Sequence, residues 1–194
     1  MDCTKVGKLI LGLRKEKNMT QKELAATMNL SDRTISRWER GVGCPDISLL
    51  NELSKVLGVN IEKILAGDLN TNDKDRGNMK KVKFYVCPTC GNILFSLSDA
   101  DISCCGRVLA ALPAEIMDDE HFMSLEEIEY DYYLTMGHEM SKAHFISFVA
   151  FVGYDRVLII KQYPEWNAEI RFPKMQGEKI YAYCSKHGLF EKKI

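Results

Sequence analysis

The sequence predicts a two-part chain: a five-helix domain first, then a mostly β part whose strands have the spacing of a sandwich. Three observations carry this. From Val6 to Leu65 apolar residues recur at helical spacing. The next stretch, "GDLNTNDKDRGNMKK" from Gly67 to Lys81, is polar, mixed in charge and almost without large apolar residues, which is the composition of a linker. Beyond it the period changes to short runs rich in aromatic and β-branched residues. The length of 194 residues suits two domains, and 46% apolar residues is enough for packed cores.

The helices follow from "VGKLILGL", "ELAATM", "TISRW", "ISLLNELSKVL" and "IEKILA". Thr20 and Glu23 form a T-x-x-E capping box, which satisfies orphan backbone donors where a helix begins. Ser31 can cap the next helix, and Gly41 and Gly43 end it. Pro45-Asp46 opens a fourth helix, and Asn60 can cap a short fifth. In the second part the strand candidates are "VKFYVC", "YDYYLTM", "FISFVAFVGY", "RVLIIKQY" and "KIYAYC", with a hairpin turn over Gly153–Arg156. The expected boundaries are 1–67, a linker over 68–81, a small Cys-rich module over 82–112 and a β domain over 113–194.

The net charge of −1 is unevenly spread. Residues 1–66 carry 11 Lys/Arg against 8 Asp/Glu, whereas residues 84–194 carry 10 against 16. A polyanion is tolerated by the first part and repelled by the second, so nucleic acid is expected on the first part only. The N-terminus "MDCTKVGK" lacks the build of a secretory peptide, and no apolar run approaches the ~18 residues that span a bilayer. A cytoplasmic protein without membrane contact is therefore expected. In a reducing compartment the clustered Cys among the seven are more often metal ligands than disulfides.

Gln21–Met28 and Asp32–Arg40 have the outline of a helix-turn-helix, whose second helix inserts its N-terminal side chains into the major groove. "MTQKELAATMNLSDRTISRWERGVGCPDISLLNELSKVLGVNIEKIL" closely resembles the Cro and phage-repressor-type (XRE) helix-turn-helix domains over roughly residues 5–66. The resemblance implies that Gln21 hydrogen-bonds a phosphate and that Asp32, Arg33 and Arg37 read bases. Thr34 and Ser36 complete the expected DNA-facing set. Arg suits guanine, because its planar fork meets O6 and N7 together. Asp32 either accepts from cytosine or caps the helix. Leu24, Ala25, Ile35 and Trp38 are core positions. Glu39 is expected to face a basic residue of the same domain. Cys3 and Cys44 lack metal-like spacing and read as ordinary cysteines.

Two further constellations carry metal chemistry. "CPTCGN" and "SCCGR" place Cys87 and Cys90 against Cys104 and Cys105, two pairs able to complete one tetrahedral site. The alternatives are a redox dithiol or chance clustering. Adjacent cysteines are unusual in a zinc ribbon, and both iron and zinc remain open. All four His of the chain, His121, His138, His144 and His187, lie in the β part with Cys184. Imidazole suits iron, zinc and copper, and a thiolate donates electron density to a redox iron.

"KFYVCPTCGNILF…SCCGRVLAAL" resembles the N-terminal iron module of desulfoferrodoxin, and "GHEMSKAHFISFVAFV…YAYCSKHGL" resembles the iron domain of desulfoferrodoxin and neelaredoxin, the superoxide reductases. The resemblance spans about residues 82–191. It implies a small rubredoxin-like module built on four cysteines, followed by an immunoglobulin-like β-sandwich. It also implies one iron held by four His, with His138, His144 and His187 equatorial and Cys184 axial. Six extended residues span about 20 Å, so the chain between His138 and His144 must fold back as a loop. Cys184 and His187 likewise need a turn, which Ser185 and Gly188 allow. His121 departs from the family pattern: the Lys-His-x-Pro text is replaced by Glu120-His121-Phe122-Met123. Lys142 can supply the missing positive charge, and Met140 reads as packing.

Three functions are compatible with this reading. One is a regulator that binds a palindromic operator as a homodimer and senses superoxide, another oxygen species or iron supply. Another is a superoxide reductase with an appended DNA-binding domain. The last is a regulator whose metal sites are purely structural.

Overall fold

A computed structural model describes residues 1–69, 77–118 and 121–194, with Glu178 by its backbone alone. The chain divides into two compact units, Met1–Thr71 and Asn72–Ile194. Half of the expected linker, residues 70–76, and Glu120 lie outside the described residues.

The first unit holds α1 (Cys3–Glu16), α2 (Gln21–Thr27), α3 (Asp32–Glu39), α4 (Ile47–Leu57) and α5 (Ile61–Ala66). Their starts are local chemistry. Asp2 caps α1, Thr20 and Glu23 close the full capping box of α2, Ser31 caps α3 and Asp46 caps α4. Asn60 occupies the capping position of α5 but makes no side-chain cap bond, so position there is not matched by interaction. Asp32 is the first residue of α3, and its carboxylate accepts from the Arg33 N–H at 2.7 Å. Val6, Ile10, Leu24, Ile35, Trp38, Leu53 and Ile64 fill one apolar core.

Glu39 meets Arg14. Both are buried, and Arg14 Nε donates to Glu39 Oε1 at 2.5 Å and Nη2 to Oε2 at 3.0 Å. Gln21 Nε2 also donates to Glu39 Oε2, at 2.7 Å. Burial opposes the charge on Glu39, but the hydrogen bonds from Arg14 and Gln21 outweigh it and hold the carboxyl below its usual range. A depressed folded value means stability that is present above the ordinary carboxylate range and is lost as pH falls through it. Glu39→Gln is accordingly expected to destabilise this unit by about 1.5–3 kcal/mol at pH 7. Urea titrations across pH 3–7 check this, and the variant should lose the acid-side slope that the parent shows.

Cys3 and Cys44 form a disulfide with Cα atoms 5.0 Å apart. Spacing along the chain did not announce it. The pairing arises because the connection after α3 folds back onto the first turn of α1, where a Cβ on Gly41 would lie 2.9 Å from Thr4 Cα. Gly41 sits there at φ 71°, so both its conformation and its surroundings call for glycine.

Among its described residues the second unit is all β apart from one 3-10 turn at Met79–Lys81. Two short hairpins come first: β1 (Lys83–Val86) with β2 (Ile93–Ser96), and β3 (Ile102–Cys104) with β4 (Arg107–Leu109). The remaining strands make two sheets. β5 (Ala114–Ile116), β12 (Gly188–Lys193), β11 (Gly177–Cys184), β8 (Ile146–Gly153) and β9 (Val157–Lys161) order as β5-β12-β11-β8-β9. β6 (Met123–Ile128), β7 (Asp131–Met136) and β10 (Glu169–Pro173) order as β10-β7-β6. Met123, Leu134, Phe151, Phe172, Ile180 and Cys184 belong to the core that these strands share. β6, β10 and β12 were not among the expected strands, because they mix polar and apolar residues in a half-buried setting.

Every residue of β8 is buried, because both faces of its sheet are covered. Phe148, Ala150 and Val152 meet Phe84 of β1 in a second core, with Phe84 centred 5.6 Å from Phe148 and 5.2 Å from Tyr181. The Cys-rich segment therefore packs directly on the five-stranded sheet. A register shift between Tyr183 and Cys184, where Cys184 pairs with Ile146, re-aims the last residue of β11.

Candidate metal centres

The first centre is built on the two hairpins. Cys87 follows β1 and Cys90 closes a turn in which Gly91 N–H donates to Cys87 C=O at 2.9 Å, with Gly91 at φ 66°. Across from it, Cys104 ends β3 and pairs with Arg107, so Cys105-Gly106 is a two-residue hairpin loop. Both loop residues have positive φ, 50° and 75°, as such a loop requires. That reversal answers how adjacent cysteines can share a centre: the chain turns through Cys105 instead of continuing past it.

The four sulfurs lie within 4.8 Å of one another, with Cys90 Sγ 3.6 Å from Cys104 Sγ. Thiolates each about 2.3 Å from a tetrahedral ion sit roughly 3.8 Å apart, so the set fits such an ion. Its electrostatics also suit a cation. Backbone N–H groups of Cys90 and Thr89 aim at Cys87 and bring its thiol down to about 6. Hydrogen bonds with Cys90, Cys87 and Cys104 push the Cys105 thiol up to about 12. Four thiols this close cannot ionise together without a metal. Chelation with a strong thiol-competing ligand is expected to remove one ion and release hydrogen-exchange protection over 87–109. The sheet of β8 and β11 should stay protected, since Phe84 and the other apolar contacts hold it.

The second centre lies at one end of the five-stranded sheet. The loop 137–145 returns the chain between β7 and β8, and residues 185–187 turn it between β11 and β12, where Gly188 has φ 101°. The two loops are latched: Ser185 N–H donates to Phe145 C=O at 2.9 Å and Phe145 N–H to Ser185 Oγ at 3.1 Å. His138 and His144 come from the first loop, Cys184 and His187 flank the second, and His121 precedes β6.

The four imidazoles close a ring. Successive centroids are 5.2 Å (His121 to His138), 4.5 Å (His138 to His144), 4.7 Å (His144 to His187) and 5.0 Å (His187 to His121). His121, His138, His144 and Cys184 bring their donor atoms within 4.8 Å of one another. His187 Nδ1 lies 3.0 Å from His121 Nε2 and 3.8 Å from Cys184 Sγ. Cys184 is wholly buried, whereas His187 is exposed, so the centre runs from core to solvent.

The protons of three rings are directed elsewhere. His121 Nδ1 lies 2.6 Å from Asp118 Oδ1, His144 Nδ1 lies 3.1 Å from Glu139 Oε2, and His138 Nδ1 meets the Glu139 carbonyl. Each acceptor holds the Nδ1 proton and leaves Nε2 as a lone pair facing the others. The Nε2 atoms of His138 and His144 are buried without a hydrogen-bond partner. Burial lowers the pKa of His138, aided by the neighbouring imidazoles, and so favours the neutral ring that ligates. Two nitrogens about 2.1 Å from one ion and at right angles are about 3.0 Å apart, matching His121 and His187. A set of imidazole nitrogens beside a buried cysteine sulfur fits a transition metal such as iron.

His121 joins the centre although the sequence around it departs from the family text. Its ring stacks on Phe190 at 3.9 Å and 15°, which fixes it without the Pro of that text. Backbone N–H groups of Lys186 and His187 donate to Cys184 Sγ, each at 3.4 Å, and fix the orientation of the sulfur. Met140 packs at the edge of the core, its sulfur 3.4 Å from Ile146 N. Lys142 faces Glu165 at 3.8 Å on the surface. Asp118 and Glu139, which contact the rings of His121 and His144, are residues that the sequence reading missed. Their only signal is an acidic residue within a few positions of a His, which is common without meaning.

On the side expected to face DNA, Arg33 and Arg37 are exposed on α3, four residues apart, away from Ile35 and Trp38. Thr34 and Ser36 are half-buried between them. Thr34 Oγ1 lies 2.8 Å from Ser31 Oγ.

Residues 10–64 match the family profile described as Helix-turn-helix. The N-terminal unit is an XRE-type helix-turn-helix domain. This helix-turn-helix region is similar to the HTH-type transcriptional activator BcrR of Enterococcus faecalis, 36% identical over 77 residues. That match covers 38% of this chain and 38% of the activator, so the chain spans about two fifths of that relative's length. The C-terminal region is similar to Desulfoferrodoxin of Clostridium acetobutylicum, 24% identical over 121 residues, 58% of this chain and 97% of that protein. Its fold is that of the superoxide reductase from Treponema pallidum (TM-score 0.53, 19% identity, 58% of this chain and 98% of that one). The helix-turn-helix domain is thus followed by a desulfoferrodoxin-like β region, as the motifs implied. No helix among the described residues is long and apolar enough to cross a membrane.

Proposed function

We propose that this chain is a sequence-specific transcriptional regulator whose C-terminal centre binds non-haem iron and responds to superoxide or a related oxygen species. One observation carries the reading: a helix-turn-helix domain shares its chain with a ring of four imidazoles beside a buried cysteine. The similarity of the first unit to a transcriptional activator supports a DNA partner. The helix-turn-helix domain acts as a homodimer on a palindromic operator in the cytoplasm, each recognition helix entering one half-site.

Iron bound there supplies one-electron redox chemistry. The protein's own residues do the rest. His121, His138, His144 and His187 present nitrogen lone pairs, and Cys184 adds a thiolate held by two N–H groups. Asp118 and Glu139 hold the outward ring protons and so fix which nitrogen ligates. The exposed His187 side gives a small anion a way in, while Cys184 stays in the core. The Cys87, Cys90, Cys104 and Cys105 centre takes iron or zinc and braces the hairpins.

A superoxide reductase with an appended DNA-binding domain is the second reading, favoured by the near-complete coverage of Desulfoferrodoxin. Metal analysis with visible absorption of the oxidised protein tests both. Iron with an iron–thiolate charge-transfer band is expected; a colourless, zinc-loaded protein would leave only structural metals. Rapid mixing with superoxide then separates the two. A regulator is oxidised once per site, whereas an enzyme given a reductant turns over repeatedly.

A further inference from the structure

The first unit carries sulfur chemistry of its own. Cys3 is the first residue of α1, and Cys44 lies in the connection between α3 and α4. They are joined across a sequence separation of 41 that encloses both helices of the DNA-binding pair. Each is partly exposed, so small oxidants and reductants can reach the sulfurs. The backbones are held together without the bond: Gly41 rests on Thr4, and a Cβ on Gly7 would fall 2.1 Å from the Trp38 carbonyl oxygen. The two sulfurs are therefore presented to each other by packing, and closing the bond asks for little movement.

We propose that Cys3 and Cys44 are a reversible thiol–disulfide site, closed by hydrogen peroxide and opened by a thiol reductant, that locks α1 to the connection beside the recognition helix. One thiolate attacks the peroxide O–O bond, forming a sulfenic acid and releasing water. The second thiol then attacks that sulfur and displaces a second water. Two thiols and one peroxide become one disulfide and two waters; the sulfurs lose the two electrons that the peroxide gains. A thiol such as glutathione reverses the bond by exchange through a mixed disulfide. The site gives the DNA-binding unit a redox input that does not depend on the metal centres.

The test uses the full chain equilibrated in a glutathione buffer of cytosolic poise, with and without excess hydrogen peroxide. Differential alkylation and peptide mapping separate these two cysteines from the other five. In the glutathione buffer both should alkylate. After peroxide they should appear as one cross-linked peptide, and the melting transition of the first unit should rise by roughly 10 °C or more. Hydrogen exchange over 3–8 and 41–46 should slow in parallel. Cys44→Ser, or Cys3→Ser should that variant fold poorly, is expected to abolish the shift and to melt like the reduced parent. Thiols that stay alkylatable after peroxide overturn the proposal. So does a disulfide that persists in the glutathione buffer, which would make it a permanent staple.

Discussion

Arg33→Ala combined with Arg37→Ala is expected to weaken operator binding by between about thirty-fold and ten-thousand-fold. A bidentate arginine–guanine contact contributes about 1–3 kcal/mol of discrimination, and the sum of two such contacts sets this range. Both side chains are exposed on α3, and the core beneath is made by Ile35 and Trp38. The melting temperature and metal content should therefore stay at parental values. Fluorescence anisotropy on a selected operator duplex measures the loss, and a scrambled duplex gives the reference. The Arg→Lys pair should keep the salt dependence while losing most of the sequence preference, because an ammonium meets phosphate but cannot fork onto a base edge. Loss of metal with the Ala pair would refute the division of labour between the two units.

Cys184→Ser is expected to erase the iron–thiolate absorption of the second centre altogether. The change removes one sulfur from a fully buried position and keeps nearly the same shape, so the sheet of β8, β11 and β12 should persist. Absorption and circular dichroism on the same sample check both halves of this statement. Asp118→Ala is the milder companion. It frees the Nδ1 proton of His121 and should lower metal affinity at this centre about 10- to 100-fold. The Cys87, Cys90, Cys104 and Cys105 centre should keep its ion in both variants. A Cys184→Ser protein with unchanged absorption would place the colour at those four cysteines instead.

Apart from Asp118, both predictions use residues that were legible from the sequence, for a common reason. Arg33, Arg37, the four paired cysteines, the four His and Cys184 announce themselves by side-chain chemistry and short-range spacing. The helix starts were legible in the same way. The bonds of Thr20, Ser31 and Asp46 reach only two or three residues along the chain. The fold-back of the loop before His144 followed from chain geometry alone, since an extended strand would hold His138 and His144 too far apart.

What stayed hidden depends on contacts between distant segments. Glu39 was expected to face some basic residue, but packing alone selected Arg14, twenty-five positions away, and drew Gln21 onto the same carboxylate. Adjacent Cys104 and Cys105 looked ill-suited to one ion until the chain was seen to reverse at Cys105-Gly106. His121 stood in a text that departs from its family, and it is seated by Phe190, a residue of β12 that no motif marks.

By itself the sequence determined the division into a helical and a β part, the caps of α2, α3 and α4, the helix-turn-helix outline and the side chains that meet in the two candidate metal centres. These rest on periodicity, on backbone donors satisfied nearby, and on residue types that few other roles require. The tertiary structure alone decided that Cys3 meets Cys44, that Phe84 welds the Cys-rich hairpins to the sheet, and that Asp118 and Glu139 hold the ring protons. Each of these is an approach of atoms far apart or unremarkable along the chain. Only the packing of helix on helix and sheet on sheet sets such distances.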